Sequence, residues 1–312
     1  MNLPVVIVSY NTRDLLRDCL RSLLASEGVN PQAIVVDNAS QDGSAEMVRR
    51  EFPQARLLAQ EQNLGFAAAN NAALRALGFD GQSAGSPLPD CVILLNPDTT
   101  VAADSLVTLV NFLRAHPRAG AVGAQLVYPD GRRQHSAFRF PGVMQTFLDF
   151  FPLHHRLLDS PLNGRYPPRR APFAIDHPLG ACILARGEAI RQIGLMDEGY
   201  FMYVEEVDWC RRIRRAGWQI FCEPRAVIVH HEAQSTRQFR EAMVEQLWRS
   251  RLRYFRKHHS PAYVGLIRAI VRLGLWNERR KTLREPSLSA DDKARRLAAF
   301  ARVQALWERK EA

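Results

Sequence analysis

Three acids crowd into four residues at Glu205, Glu206 and Asp208, directly after the aromatic run Tyr200-Phe201-Met202-Tyr203. A carboxylate set between an apolar lead-in and a helix start lies at the edge of a partly dry cleft, where it can accept a proton from a substrate. The same acids complement the positive end of a helix, and Asp208 can pair with Arg211 or Arg212, so a structural role stands beside the chemical one. Asp37 and Asp98 follow two apolar runs, Ala33–Val36 and Cys91–Leu95. An acid leaving a buried strand can hold a divalent cation or cap a helix. His230-His231 follows a third apolar run, Ala226–Val229, and offers metal ligands at a strand exit.

The elements that must position these groups follow a βαβ rhythm. Val5–Val8 is all apolar, as a buried parallel strand is, and Ser9-Tyr10-Asn11 leaves its carboxyl end. Thr12 is expected to cap a helix whose Leu15, Leu16, Cys19, Leu20, Leu23 and Leu24 share one face. Strand, polar loop and helix then repeat through Ala33–Val36, Arg56–Ala59 and Cys91–Leu95, with Ala103–His116 helical and Ala121–Tyr128 extended. Ligands of such sheets sit outside the carboxyl ends of the strands. Asn70 and Asn71 sit poorly in a helix interior, which predicts a use for at least one of them. Gly81–Pro89 reads as a loop, and 138–175, aromatic and proline-rich, shows no pattern that assigns a regular structure and reads as a mobile or acceptor-facing insertion. His177–Ala185 returns to strand character. Val207, Cys210 and Ile213 give Glu205–Ala216 a helical period that Gly217 stops. Two strands, Gln219–Glu223 and Ala226–Val229, precede three helices over Gln238–His258, Pro261–Leu275 and Ala290–Arg309.

Composition bounds the reading. The 312 residues, 46% apolar and 24% charged, suit a large α/β domain with an appendage. The net charge of +10 is confined to the tail: residues 236–312 hold 19 Lys and Arg against 8 Asp and Glu, and the remainder is near neutral. Aromatics mixed with arginines there, Trp248, Tyr254, Phe255, Leu266, Ile267, Ile270 and Trp276, suggest an interfacial segment. Binding of nucleic acid by this tail is the alternative from another class, though no RNA- or DNA-binding motif appears. Five scattered cysteines without a CxxC pair fit a reducing compartment. The Met1-Asn2-Leu3-Pro4 start carries no secretory pattern, and the most apolar stretch, Pro261–Trp276, contains Arg268 and Arg272. The expected location is cytoplasmic, at the periphery of the inner face of the plasma membrane. No GxGxxG follows the first strand, which excludes a dinucleotide-binding dehydrogenase.

Six segments in order, VVIVSYN (Val5–Asn11), VVDNASQDGS (Val35–Ser44), NLGFAAANN (Asn63–Asn71), ILLNPDT (Ile93–Thr99), FMYVEEVDWCRR (Phe201–Arg212) and VIVHHEAQS (Val227–Ser235), resemble the family 2 inverting glycosyltransferases, in their rhamnosyltransferase-like branch. The resemblance spans about residues 4–258 and implies an α/β fold of GT-A type, Rossmann-like with a mixed central sheet, over 1–235. Residues 236–312 then form a basic helical extension. It also implies that Asp37 binds the pyrimidine base of a nucleotide-sugar and that Ser9 and Asn11 form the first nucleotide loop. Asn63 and Asn96 fall among the donor-binding residues, Asn96 standing where the family's metal-binding DxD element has its first acid. Asp98 matches the last acid of that element and His230 the histidine that completes a Mg²⁺ or Mn²⁺ site. Glu206 matches the second position of a Glu-Asp pair that supplies the catalytic base, with Glu205 and Asp208 left open as alternatives because the pair here reads Glu-Glu. The implied reaction moves a sugar, rhamnose from dTDP-rhamnose, onto a saccharide or lipid-linked acceptor in cell-surface polysaccharide synthesis. A UDP-hexose or UDP-galactofuranose donor, or a catalytically inactive scaffold, are the other readings.

Overall fold

Apolar runs bounded by polar loops become the strands of a nine-stranded mixed sheet. The computed structural model describes residues 1–80, 88–231 and 240–309. Most of the loop expected at Gly81–Pro89, the last four residues of the VIVHHEAQS segment and the helix start at Gln238 lie outside the described residues.

In chain order the elements are β1 (Asn2–Ser9), α1 (Arg13–Leu24), β2 (Asn30–Asp37), α2 (Ser44–Glu51), β3 (Arg56–Ala59), α3 (Phe66–Ala76), β4 (Cys91–Leu95), β5 (Thr99–Val101), α4 (Ser105–Ala115) and β6 (Ala119–Val127). They continue with β7 (Ala137–Phe138), α5 (Val143–Phe150), α6 (His155–Leu158), a 3₁₀ turn (Pro161–Asn163), β8 (Phe173–Ala174), β9 (His177–Pro178), β10 (Cys182–Arg186), α7 (Gly187–Ile193) and α8 (Glu205–Arg215). The last are β11 (Gln219–His230), α9 (Arg240–His258), α10 (Pro261–Arg284) and α11 (Ala290–Glu308). Two compact units result: Met1–Arg139 with Pro168–Phe201 and Glu205–Ser235, and Phe140–Pro167 with Met202–Val204 and Thr236–Ala312.

In the first unit the strand order is β3-β2-β1-β4-β10-β6-β11-β5, with β8 on β11. Strands β3, β2, β1 and β4 run parallel, and β10 runs antiparallel to both β4 and β6. This direction change matters to the site. The carboxyl ends of β1, β2 and β4 and the amino end of β10 meet at one sheet edge, where Ser9 lies opposite Asp37 and Cys182 opposite Leu95. His230, at the end of β11, pairs with Thr99, next in sequence to Asp98. The core beneath is aliphatic, with Val5, Ile7, Val35, Ile93, Val122 and Leu184 essentially inaccessible.

Several local expectations needed correction. Thr12 stands at the α1 N-cap position, but its hydroxyl pairs with Ser9 Oγ (2.9 Å), and the Arg13 N–H donates to Asp42 Oδ2 (2.8 Å) from the next loop. The two strands over Gln219–Glu223 and Ala226–Val229 are one strand, β11, with a register shift between Glu223 and Val227 where the break was expected. Pro224 has no N–H for the ladder there, and the buried Glu223 carboxylate accepts from the Arg225 backbone (3.0 Å) and guanidinium (2.7 Å). His177–Ala185 divides into β9 and β10. Segment 138–175 is not irregular: it contains α5, α6 and a 3₁₀ turn. All five cysteines are free and buried. Burial pushes the thiols of Cys19, Cys182 and Cys222 up to about 12 and that of Cys91 up to about 11.

The second unit explains why 138–175 folds. Helix α5 is apolar on the face it turns to α10, and Phe150 stacks on Trp248 with ring centroids 4.8 Å apart. Trp307 meets Trp248 edge-on at 5.9 Å and donates its indole N–H to the Trp248 carbonyl (3.2 Å). Gly274 permits the contact of α10 with α5, since a Cβ there would lie 2.1 Å from Phe150. Helix α10 runs past the expected Leu275 to Arg284, for no breaker intervenes before Pro286. Trp248, Tyr254, Phe255 and Ile267 are core residues of this unit, whereas Leu266 and Trp276 are exposed.

Candidate active site

At the β1 and β2 ends, backbone turns and asparagines build a cradle around one acid. Asp37 is 3% exposed; its Oδ2 accepts the Ser40 N–H (3.1 Å), while Oδ1 is buried without a hydrogen-bond partner. A buried carboxylate oxygen with no donor is a costly arrangement unless a ligand supplies one. Asn11, at φ 52°, accepts the Gln41 N–H on its side chain (2.8 Å) and donates its own N–H to Ser40 Oγ (3.0 Å). Asn38 Nδ2 donates to Asn63 Oδ1 (2.8 Å), which also accepts the Gly65 N–H (2.9 Å). Ser9 is fully buried against Thr12. Asp37 therefore faces the ligand side, and Ser9, Asn11 and Asn63 shape the loops that surround it.

A second cluster sits where β4 and β11 end. Asp98 Oδ1 lies 3.3 Å from His230 Nε2, both residues being about 5% exposed. His230 Nδ1 faces Gln134 Oε1 at 3.0 Å and donates to it, which turns Nε2 toward the carboxylate. A ring nitrogen and a carboxylate oxygen this close can share a proton or hold a cation between them. Asn96 Oδ1 is a third buried acceptor without a partner. Among the described residues no group of three His, Cys, Asp or Glu side chains gathers to ligate an ion. The donor set instead fits an ion that takes two protein ligands and fills its shell with phosphate oxygens and water, as Mg²⁺ characteristically does. Gln134 escaped the sequence reading because no local pattern marks it; it lies 96 residues from its histidine.

The acids of α8 divide into three roles. Asp208 is fully buried and bonds Arg212 Nε (3.0 Å), whose other nitrogens grip the carbonyls of Ile193 (2.7 Å) and Leu195 (2.8 Å). It anchors the loop before α8, which accounts for its presence without proton transfer. Glu205 is 5% exposed with Oε2 unpartnered, and burial, then the charge of Glu206, hold its carboxyl well above the usual range. Glu206 is half-buried, and desolvation pushes its carboxyl up to about 7 against the opposing pull of the Glu206 and Val207 N–H groups. Of two neighbouring carboxyls that cannot both ionise cheaply, the deeper one keeps the proton. Glu206 is left as the group that exchanges protons near neutrality.

The pieces join through Gly180-Ala181. The Asn96 N–H donates to the Ala181 carbonyl (2.9 Å), and a Cβ on Gly180 would lie 3.5 Å from Glu206 Cγ. Glu206 and the Asn96-Pro97-Asp98 turn thus flank one short segment at the amino end of β10. The asparagine expected to find a use is Asn71: it exchanges hydrogen bonds with the Met196 backbone (2.9 Å each way) and donates to Glu198 (2.9 Å), tying α3 to the approach of α8. Gly65 holds the same approach. Its φ is +81°, and an added Cβ would lie 2.4 Å from the Phe201 carbonyl that accepts the Phe66 N–H (2.6 Å). Gly65→Ala is expected to cost roughly 2–3 kcal/mol of stability; a urea midpoint equal to that of the wild type would contradict it.

A cavity of about 610 Å³ lies elsewhere in this unit, lined by Met1, Asp90, Cys91, Arg114, Arg186 and Glu188. It adjoins the amino ends of β1 and β4, away from the sheet edge that gathers the acids, and holds none of the site residues.

The sequence pattern of the family described as "Glycosyl transferase family 2" matches residues 5–193. An N-acetylglucosaminyl-diphospho-decaprenol L-rhamnosyltransferase of Mycobacterium tuberculosis is 35% identical over 239 residues, covering 75% of this chain and 77% of that protein. The rhamnosyltransferase WbbL of Escherichia coli is 26% identical over 153 residues, covering 48% of this chain and 55% of the other. Among solved structures, the mannosyltransferase PcManGT from Pyrobaculum calidifontis in complex with GDP-Man and Mn²⁺ superposes with a TM-score of 0.57 at 18% identity, over 97% of this chain and 85% of that one. S. aureus TarS 1–349 in complex with UDP gives 0.53 at 15% identity, over 98% and 83%. The mixed sheet and its flanking helices are a GT-A fold. With a family pattern over more than half of its length and a relative above 30% identity over three quarters of it, the chain belongs to glycosyl transferase family 2 and is a glycosyltransferase.

Proposed function

We propose that this enzyme transfers rhamnose from dTDP-rhamnose, with inversion, to a lipid-linked saccharide during synthesis of a cell-surface polysaccharide. One observation carries the chemistry: a carboxyl that titrates near neutrality and a turn bearing Asn96 and Asp98 flank the same Gly180-Ala181 segment. The choice of sugar and acceptor is supported by the mycobacterial rhamnosyltransferase, whose name states an N-acetylglucosaminyl-diphospho-decaprenol substrate.

In this reading Asp37 Oδ1 accepts the N3–H that uracil and thymine share. Asp98 and His230 would hold a Mg²⁺ or Mn²⁺ ion, which when bound supplies positive charge to the leaving diphosphate. Glu206 takes the proton of the acceptor hydroxyl as that oxygen bonds to the anomeric carbon. The bond from that carbon to the phosphate oxygen breaks with its electron pair going to the diphosphate, and a single in-line displacement inverts the centre. Glu205, retaining its proton, avoids a second charge beside the base. The five free thiols support a reducing, cytoplasmic setting, with the reaction at the inner face of the plasma membrane.

The test is a panel of nucleotide-sugars offered to the full chain with and without Mn²⁺. Turnover of dTDP-rhamnose above all others is expected, and Asp37→Ala should raise KM for it by about tenfold or more through the lost base contact. Preference for UDP-hexose or UDP-galactofuranose would overturn the donor assignment, and no turnover of any donor would overturn the reading.

A further inference from the structure

Helix α10 has two apolar faces, and among the described residues only one of them is covered. Val264, Ile267, Val271, Gly274 and Leu275 are buried against the neighbouring helices of the second unit. On the opposite side Leu266, Leu273, Trp276 and Leu283 are 50%, 53%, 53% and 60% exposed. Their spacings of seven, three and seven residues keep them in one stripe of a 3.6-residue helix. Single exposed leucines are ordinary, but four large apolar side chains in one line are not.

The exposed charges of α10 itself have one sign. Arg272, Arg280 and Arg284 are exposed along it, and no exposed residue of α10 is acidic. The helix's one acid, Glu278, is half-buried and bonds Lys281 (2.7 Å). Of the acids on neighbouring segments, Glu308 makes an exposed ion pair with Arg272 (3.8 Å), which leaves Arg280 and Arg284 as the stripe's other cations, and Glu285 turns to Ser287 (2.8 Å). The Arg280 guanidinium lies over the Trp276 ring, 4.6 Å from its centroid, so the aromatic and the cation occupy one level of the surface. A second copy of this chain would bring the same arginines face to face, which opposes self-association through the stripe. No described helix is long and apolar enough to cross a membrane, so the stripe is suited to lying flat.

We propose that this face of α10 rests on an anionic lipid surface, with the leucines and Trp276 entering the acyl boundary and the arginines meeting lipid phosphates. The inference stands on the α10 surface alone and does not depend on the sugar-transfer reading. The full chain is sedimented with phosphatidylcholine vesicles and with equimolar phosphatidylcholine and phosphatidylglycerol vesicles, across a salt series. Binding to the mixed vesicles that weakens with salt is expected, with little to phosphatidylcholine alone. The charge reversal R272E/R280E/R284E should weaken it roughly a hundredfold, and L273Q/W276Q about tenfold. Should either variant lose its fold by circular dichroism, the equally exposed pair L266S/L283S provides the comparison. Donor hydrolysis on the same preparations separates the two readings, since it is expected to survive in all of these variants. Equal binding to both vesicle types, or variants that bind like the wild type, would overturn the proposal. So would a wild type that is dimeric by light scattering, becomes monomeric in L273Q/W276Q and ignores vesicles, which would make the stripe an interface between copies.

Discussion

Glu206→Gln is expected to lower turnover by about 10²- to 10⁴-fold while leaving donor affinity within about twofold. The amide keeps the size and most of the packing of the carboxylate against Gly180 but cannot take a proton. The loss should therefore appear in kcat and not in KM, and calorimetric titration with the nucleotide should be unchanged. The same site sets the pH profile. As the proposed base Glu206 must be ionised to act, and its carboxyl is pushed up to about 7 by burial, so activity should rise with pH through about 7 and level above it. Linkage fixes the sign for stability. The folded state binds this proton more tightly than the unfolded chain, whose carboxyl has the ordinary value of 4.5, so the contribution is fully present below 4.5 and is lost as pH rises through about 7. The Gln variant should flatten that slope, becoming relatively more stable above pH 7 as it loses activity. An equal loss of turnover in Glu205→Gln, with Glu206→Gln active, would transfer the role to the deeper acid.

Asp98→Ala should reduce transfer by on the order of 10²- to 10³-fold and abolish the response to added Mn²⁺. The backbone there is held independently, by the His231 N–H on the Asp98 carbonyl (2.9 Å), so the turn should persist without the side chain. What is lost is one of the two proposed ligands, whose side chains face each other at 3.3 Å. The Mn²⁺ electron paramagnetic resonance spectrum, recorded with dTDP present, reports on the site without any turnover; the bound-ion signal should fade in Asp98→Ala. Gln134→Ala, which frees the His230 ring to turn, should weaken Mn²⁺ by about 10- to 100-fold in the same measurement. A bound-ion spectrum unchanged in both variants would place the cation elsewhere.

What the sequence disclosed is what local pattern encodes. Val5–Val8, Ala33–Val36 and Cys91–Leu95 announce buried strands because nothing polar interrupts them, and the acids that follow fall at one sheet edge because those strands are parallel. Partnerships over long separations stayed hidden. Gln134 reaches His230 with nothing in its local setting to mark it, and although the helix interior marks Asn71 as a residue with a use, it does not name Met196, 125 residues away, as the partner. The Asp208–Arg212 pair was foreseeable from its spacing, but its grip on Ile193 and Leu195 was not. Segment 138–175 shows no assignable pattern because the surface that orders α5 lies about a hundred residues later, on α9 and α10. In the tail, periodicity revealed apolar residues on both sides of α10 without saying which side the protein keeps for itself.

Five sulfhydryls sealed away from solvent leave the exterior of this enzyme chemically silent toward maleimides. A single cysteine introduced on the open side of α10, at Leu273 for instance, would then carry the molecule's one fluorophore or spin label, with no need to strip native cysteines from the core. Immersion depth in a bilayer could be read from that label by collisional quenching, on a protein otherwise unaltered.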